Sequence, residues 1–262
     1  MMLKLENITV TFEKGTAGEK KALDDLSLQV NKGEFITIIG ANGAGKSTMF
    51  NAICGNLITA EGRIILDDKD ITMLPEHKRS RQIGRLFQDP SMGTAPNMTI
   101  AENLALASKA GTWLSGINSA DRRYFSKRLS VLEMGLEDRM DQQVGTLSGG
   151  QRQALALLMA TINPPALLLL DEHTAALDPA AQEKILKITR QIVEANDLTC
   201  LMITHDMSSA LELGNRTIMM HEGRIILDIS GEERSSVTVD DLLERFREAT
   251  GKNLNSDRML LT

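Results

Sequence analysis

The stretch FITIIGANGAGKST, Phe35 to Thr48, decides the architecture. Phe35–Ile39 is a short apolar run ending at a glycine, which suits a strand buried on both faces. Lys46–Cys54 then reads as a helix. The turn between them, Gly40-Ala41-Asn42-Gly43-Ala44-Gly45-Lys46-Ser47, satisfies the spacing G-x-x-x-x-G-K-[ST]. Gly40, Gly43 and Gly45 permit a tight backbone whose successive N–H groups converge on phosphate oxygens. Lys46 is placed to put a positive charge beside β- and γ-phosphates, and Ser47 to offer an oxygen to Mg²⁺. The helix start adds its own partial positive charge. A chance match has odds of roughly one in a hundred over this length, and the strand–loop–helix context lowers them further. The reading is a nucleoside triphosphate site.

Working outward, Leu3–Phe12 and Ala22–Val30 show partial period-2 alternation, as half-buried strands do. Gly62–Leu66 and Ile83–Phe87 are further strand candidates, the latter ending where Gln88-Asp89-Pro90 stops regular pairing. From Pro96 to Ile162 the composition shifts to Met, Leu, Ala and Lys/Arg at helical spacing. Helices are expected over Ile100–Lys109, Asp121–Met134 and Gly149–Ile162. Strand–helix alternation then resumes with Ala166–Leu170, Pro179–Ala195 and Thr199–Ile203. Arg216–Met220 and Arg224–Ile229 read as a hairpin, and Thr238 caps a last helix, Val239–Thr250.

The 262 residues are 42% hydrophobic and 24% charged, an ordinary globular composition. A net charge of −6 disfavours whole-surface binding of nucleic acid. The longest apolar runs, Ala154–Ile162 and Ala166–Leu170, fall short of the roughly 18 residues that span a membrane. The first residues lack the pattern of a secretory signal, so a soluble, cytoplasmic chain is expected. Two cysteines, Cys54 and Cys200, are read as small buried residues. The basic clusters His77–Arg81 and Arg122-Arg123 are read as solvated faces.

Two more motifs carry chemistry. In Leu167–Glu172, LLLLDE, a buried strand ends in two carboxylates at the sheet edge where α/β ligands bind. Asp171 would hold Mg²⁺ through its water shell, and Glu172 would polarise an attacking water as general base. In Leu147-Ser148-Gly149-Gly150-Gln151, Ser148 is a good N-cap and the glycines leave backbone N–H groups open at a helix start. That makes a second anion site on one chain. The economical arrangement is a head-to-tail dimer, each cradle closing over nucleotide held by the other copy.

This combination resembles the ATP-binding-cassette (ABC) ATPases, in particular the nucleotide-binding subunit of a bacterial importer. The resemblance reaches to about residue 230. It implies an α/β fold: a P-loop NTPase core with an N-terminal antiparallel β subdomain and an inserted α-helical subdomain. Residues 1–250 would form one ABC ATPase domain, with 1–95 and 163–250 as core and 96–162 as the helical signature subdomain. Residues 251–262 would be a tail. Residues 40–48, closing with Thr48, match the Walker A loop, 167–172 the Walker B strand and 147–151 the signature. By the same resemblance Gln88 matches the Q-loop glutamine that senses Mg²⁺ and γ-phosphate, and Asp178 the D-loop residue that contacts the opposite subunit. His205 matches the switch histidine that orients Glu172, and Phe12 the aromatic that stacks on adenine. Taken singly, Phe12 reads more readily as core, Gln88 as a turn cap and His205 as a satisfied strand-end histidine, each at roughly two to one. Their order around three strong motifs favours the catalytic reading.

Two departures stand out. His173 replaces the usual proline after the Walker B glutamate, so the loop to Asp178 is expected to be less stiff. Residues 89–99, DPSMGTAPNMT, resemble an importer group paired with amino-acid-type binding proteins. The resemblance thus implies an ATPase using ATP and Mg²⁺, dimerising with a second copy of itself and driving membrane permease subunits, with a solute-binding protein further upstream. Such a subunit sits peripherally on the cytoplasmic face of the membrane and does not bind nucleic acid. The alternative is a cytosolic ABC ATPase serving an assembly process such as iron–sulfur cluster scaffolding. A chromosome-maintenance ATPase is disfavoured by the lack of sustained heptads, and a tandem-cassette protein by the single Walker A motif.

Overall fold

The computed structural model describes residues 1–59, 61–108 and 116–251. Two sheets organise them. The first is antiparallel, in the order β2-β1-β4-β5, from β1 (Leu3–Phe12), β2 (Lys20–Val30), β4 (Glu61–Leu66) and β5 (Lys69–Asp70). The second has the order β10-β9-β3-β8-β7-β6, from β3 (Phe35–Ile39), β6 (Ile83–Leu86), β7 (Leu167–Asp171), β8 (Thr199–Ile203), β9 (Arg216–His221) and β10 (Arg224–Ser230). Strands β9, β3, β8, β7 and β6 run parallel, and β10 closes one edge as the hairpin partner of β9. All five residues of β3 and of β8 are buried, which explains why each is apolar but for one threonine, Thr37 and Thr199.

Helix α1 (Lys46–Cys54) lies between the sheets, and its Met49, Phe50 and Ile53 join Leu3, Leu5, Leu26 and Ile64 in one core. On the other face of the parallel sheet, α5 (Gly149–Thr161) and α6 (Pro179–Ala195) cover Leu168, Leu170, Cys200 and Met202. The same core holds Ile100 and Leu104 of α3 (Ile100–Ser108) and Phe125 and Leu129 of α4 (Ser119–Ser130). A third, smaller core sets Met207 of α7 (Met207–Glu212) and Leu242 and Phe246 of α9 (Val239–Thr250) against Met219 and Ile229. The fold is the α/β architecture expected, with an antiparallel β layer and helices 100–161 inserted between β6 and β7. Among the described residues no helix is long and apolar enough to cross a membrane. The expected tail falls, from residue 252, outside the described residues, as does Lys109 at the end of the first insert helix.

Several local expectations need revision. Helix α4 starts at Ser119, not Asp121, because Asn118 and Asp121 form a reciprocal capping box. It ends at Ser130, just before a turn in which Glu133 adopts a left-handed φ of 52°. The segments α2 (Glu76–Arg79), α7 and α8 (Gly231–Ser236) carry too few turns to show a period in the sequence. Arg79 is not solvated: it is 3% exposed, and its guanidinium donates to the carbonyls of Ala52 (2.8 Å), Ile53 (2.9 Å), Leu74 (2.7 Å) and Thr72 (2.8 Å). Two of those carbonyls belong to the last turn of α1, where a cation is favoured; the Ala52 carbonyl also accepts from the Gly55 N–H at 3.3 Å. Arg122, by contrast, is exposed and paired with Asp141. Both cysteines are free and buried, as expected.

Candidate active site

Four parallel strands deliver the chemistry to one edge. Their registers align Ile38 with Ile203, Ile203 with Asp171, and Leu170 with Leu86. Gly40, Glu172, His205 and Gln88 therefore all follow strand ends on the same side of the sheet, where α/β proteins hold ligands.

The phosphate loop is built as its glycines predict. Gly40 has φ 149°, and a Cβ there would sit 2.3 Å from the Met220 carbonyl oxygen. Gly45 has φ 101°, and a Cβ there would sit 2.5 Å from the Ala22 carbonyl oxygen. No larger residue fits either position without moving backbone. Gly45 also leaves α1 with no side-chain cap, so the first N–H groups of that helix face outward for an anion. Lys46 is 5% exposed, and its Nζ donates to the Gly40 (2.6 Å) and Ala41 (3.2 Å) carbonyls of the loop. Burial lowers its pKa, opposed by the negative charge of Glu172 and Asp171.

Two adjoining cavities meet at this edge and share Asn42 and Glu172. One, of about 190 Å³, is lined by Phe12, Lys20, Ala22, residues 42–48 and Glu172. The other, of about 240 Å³, adds Thr174, Ala175, Gln182, Thr204, His205 and Asp206. Phe12 is 41% exposed and lines the first cavity, so it is not packed as core. Glu172 adopts a left-handed φ of 47° while its N–H donates to the Ile203 carbonyl, a strained turn of the kind found at functional sites. Its Oε1 lies 2.5 Å from His205 Nε2. That hydrogen bond holds the Glu172 carboxyl below the usual carboxylate range, against the effect of burial.

Asp171 behaves differently. Burial raises its pKa, and Arg85, which donates to Oδ2 at 3.1 Å, works in the opposite direction. Arg85 did not stand out in the sequence. Its signal was a charged residue in the four-residue strand IGRL, whose ends Ile83 and Leu86 are buried; such a charge requires a counter-charge. The hydroxyl of Ser47, the amide of Gln88 and the carboxylate of Asp171 are oxygen donors of the type Mg²⁺ takes. Gln88 has an exposed side chain two residues past β6 and lines neither cavity.

The signature residues lie apart. Ser148 caps α5, its Oγ accepting from Gln151 N–H while Gln151 Oε1 accepts from Ser148 N–H, both at 3.3 Å. Ser148 and Gly149 are exposed, and a Cβ at Gly150 would meet Ala181 at 3.2 Å. Neither cavity is lined by any of residues 147–151. Asp178 is an exposed N-cap of α6, accepting from Ala181 N–H at 3.1 Å. The loop before it is tied down, contrary to the expectation raised by the missing proline. His173 is buried and its Nε2 lies 3.1 Å from Thr189 Oγ1, which itself donates to the Ile185 carbonyl. His173 therefore donates, and burial pushes its pKa down to about 4.

Residues 23–175 match the family model of the ABC transporter. A tyrosine transport ATP-binding protein of Clostridioides difficile is 41% identical over 95% of this chain and 100% of its own length. A methionine import ATP-binding protein of Yersinia pestis is 34% identical over 95% of this chain and 71% of the relative. Among solved structures, the ADP conformation of the ATP-binding cassette MJ1267 superposes with a TM-score of 0.77 at 31% identity, over 94% of this chain and 98% of that one. The dimeric structure of MJ0796, a bacterial ABC transporter cassette, gives 0.74 at 30% identity over 87% and 98%. With a phosphate loop, a carboxylate–histidine pair and a detached signature helix on this sheet, the chain belongs to the ATP-binding cassettes of ABC transporters and is an ATPase of that family.

Proposed function

We propose that this chain is the ATP-hydrolysing subunit of an importer for a small solute of the amino-acid class, working as an ATP-closed dimer. The observation that carries the proposal is the division of the anion sites. The uncapped start of α1 shares its cavity with Glu172, which adjoins His205, whereas the exposed start of α5 opens elsewhere on the same chain. A second copy, turned head to tail, lays Ser148, Gly149, Gly150 and Gln151 over nucleotide held by the first. Contacts made only in that closed state give ATP its differential affinity for closure. The relatives' roles in tyrosine transport and methionine import support the substrate class.

Within one site, residues 40–48 cradle the phosphates and Lys46 leaves the loop carbonyls for the β- and γ-phosphate oxygens. Phe12 stacks on the base. Glu172 accepts the proton of the attacking water, and His205 holds that carboxylate in place. Ser47, Gln88 and Asp171 would hold Mg²⁺, whose charge would offset that developing on the phosphates. Asp178 meets the opposite copy. Permease subunits take up the motion through the helical insert and the segment after Gln88, and the chain rests on the cytoplasmic membrane face.

Size-exclusion chromatography of Glu172→Gln with MgATP is expected to give a dimer, and without nucleotide a monomer. A monomer under both conditions overturns the closed-dimer reading. Purification from native membranes should bring down a multi-span protein; recovery of only soluble partners would favour the assembly role instead.

A further inference from the structure

The guanidinium of Arg85 joins three parts of the site. One nitrogen donates to Asp171 Oδ2 at 3.1 Å, at the end of β7. The other terminal nitrogen donates to Asn51 Oδ1 at 2.8 Å, on α1, the helix that begins at the phosphate loop. Its Cζ lies over the Phe87 ring, 4.7 Å from the ring centre and one residue before Gln88. The Arg85 and Asp171 side chains are each 13% exposed, so the pair is largely but not fully withdrawn from water. Arg85 Nε is itself buried without a partner, so the terminal nitrogens carry all of its hydrogen bonding.

We infer that Arg85 is a positioning residue for the Mg²⁺ site: it fixes the Asp171 carboxylate against α1 by a bidentate reach to Asp171 and Asn51. The physical argument is one of geometry. An aspartate at a strand end has two χ angles and turns toward any donor. Arg85 occupies Oδ2 and leaves Oδ1 for the hydrated ion, and the Phe87 ring limits the swing of the guanidinium. Groups that orient a metal-side ligand typically change metal affinity by 10–100-fold when removed. Without Arg85 the part-buried carboxylate loses its main counter-charge, a costly state that it relieves by turning away. Because one end of this link is β6 and Phe87, it also joins the metal-side carboxylate to the segment that carries Gln88.

The inference rests on the proposal that Asp171 faces Mg²⁺, and the test separates the two. ATP affinity of the isolated chain is measured in EDTA and then across a Mg²⁺ titration, for wild type, Arg85→Met, Arg85→Lys, Asn51→Ala and Asp171→Asn. In Arg85→Met, affinity in EDTA should stay within about twofold, while the Mg²⁺ concentration giving half of the magnesium effect rises about tenfold. Arg85→Lys reaches one acceptor only, so it and Asn51→Ala should move the midpoint the same way by less. An unchanged or lowered midpoint in Arg85→Met, or a parallel loss of affinity in EDTA, overturns the inference. If Arg85→Met does not fold, wild-type midpoints in both Arg85→Lys and Asn51→Ala do the same. A wild-type midpoint in Asp171→Asn overturns the Mg²⁺ assignment of Asp171 itself, whatever Arg85 does.

Discussion

The phosphate-loop edge and the signature helix are both helix starts built for anions, yet one is furnished and the other is bare. At the first, Lys46, Glu172 and His205 stand close to the uncapped start of α1, and buried charges there already have partners. At the second, Ser148 spends its hydroxyl and N–H on Gln151, faces solvent, and has no catalytic group among the cavities of the site. The contrast teaches that one chain can bring a carboxylate–histidine pair to one helix start and leave a second helix start without any such group. In the proposed closed dimer, the missing half of the enclosure is the other copy's bare helix.

Substitutions at the two starts should differ in kind. Glu172→Gln keeps the shape of the furnished site while removing the proposed proton acceptor. Turnover should fall about 10³-fold with ATP binding retained, read by phosphate release and nucleotide titration. Wild-type turnover would remove Glu172 from the mechanism. Ser148→Arg places bulk and charge on the bare start. Hydrolysis should fall about a hundredfold while the isolated chain binds ATP normally; lost binding in that variant would erase the distinction between the two starts.

The loop linking the two regions supplies a third test. His173 binds a proton in the unfolded chain below about pH 6.5 but in the folded chain only below about 4. Stability is therefore lost as pH falls through that window, by about 2 kcal/mol at pH 5. Chemical denaturation at pH 7.5 and pH 5 should show a smaller drop in His173→Gln, by roughly that amount. An equal drop would mean that His173 is not the buried neutral group described. The smallest effect belongs to the rim. Phe12→Ala should weaken ATP binding about fivefold and Phe12→Trp should preserve it, because base stacking on an exposed ring is worth on the order of 1 kcal/mol. Equal affinities would return Phe12 to the role of a strand residue.

How far these features could be read in advance depended on how local their causes are. The loop from Gly40 to Thr48 was legible because its glycines, lysine and hydroxyls act within a few residues of one another. So were β3 and β8, whose burial on both faces forces apolar runs, and α6 and α9, whose caps Asp178 and Thr238 sit beside the helices they start. Arg79 and Arg85 were not legible. Each is a charge in a basic or short segment whose partners lie on α1 and β7, far along the chain. His173 was legible as a departure, but its pinning by Thr189 depends on α6 returning over the loop.

The sequence alone determined the strand–loop–helix cradle, the carboxylate pair at a strand end and the capped helix start at Ser148, since each is set by steric and hydrogen-bonding rules acting between near neighbours. Tertiary structure alone decided that Glu172 meets His205, that Asp171 is held by Arg85, and that Ser148 stays outside the cavity it resembles. Those outcomes depend on strand order and register, which bring together residues that no local rule connects.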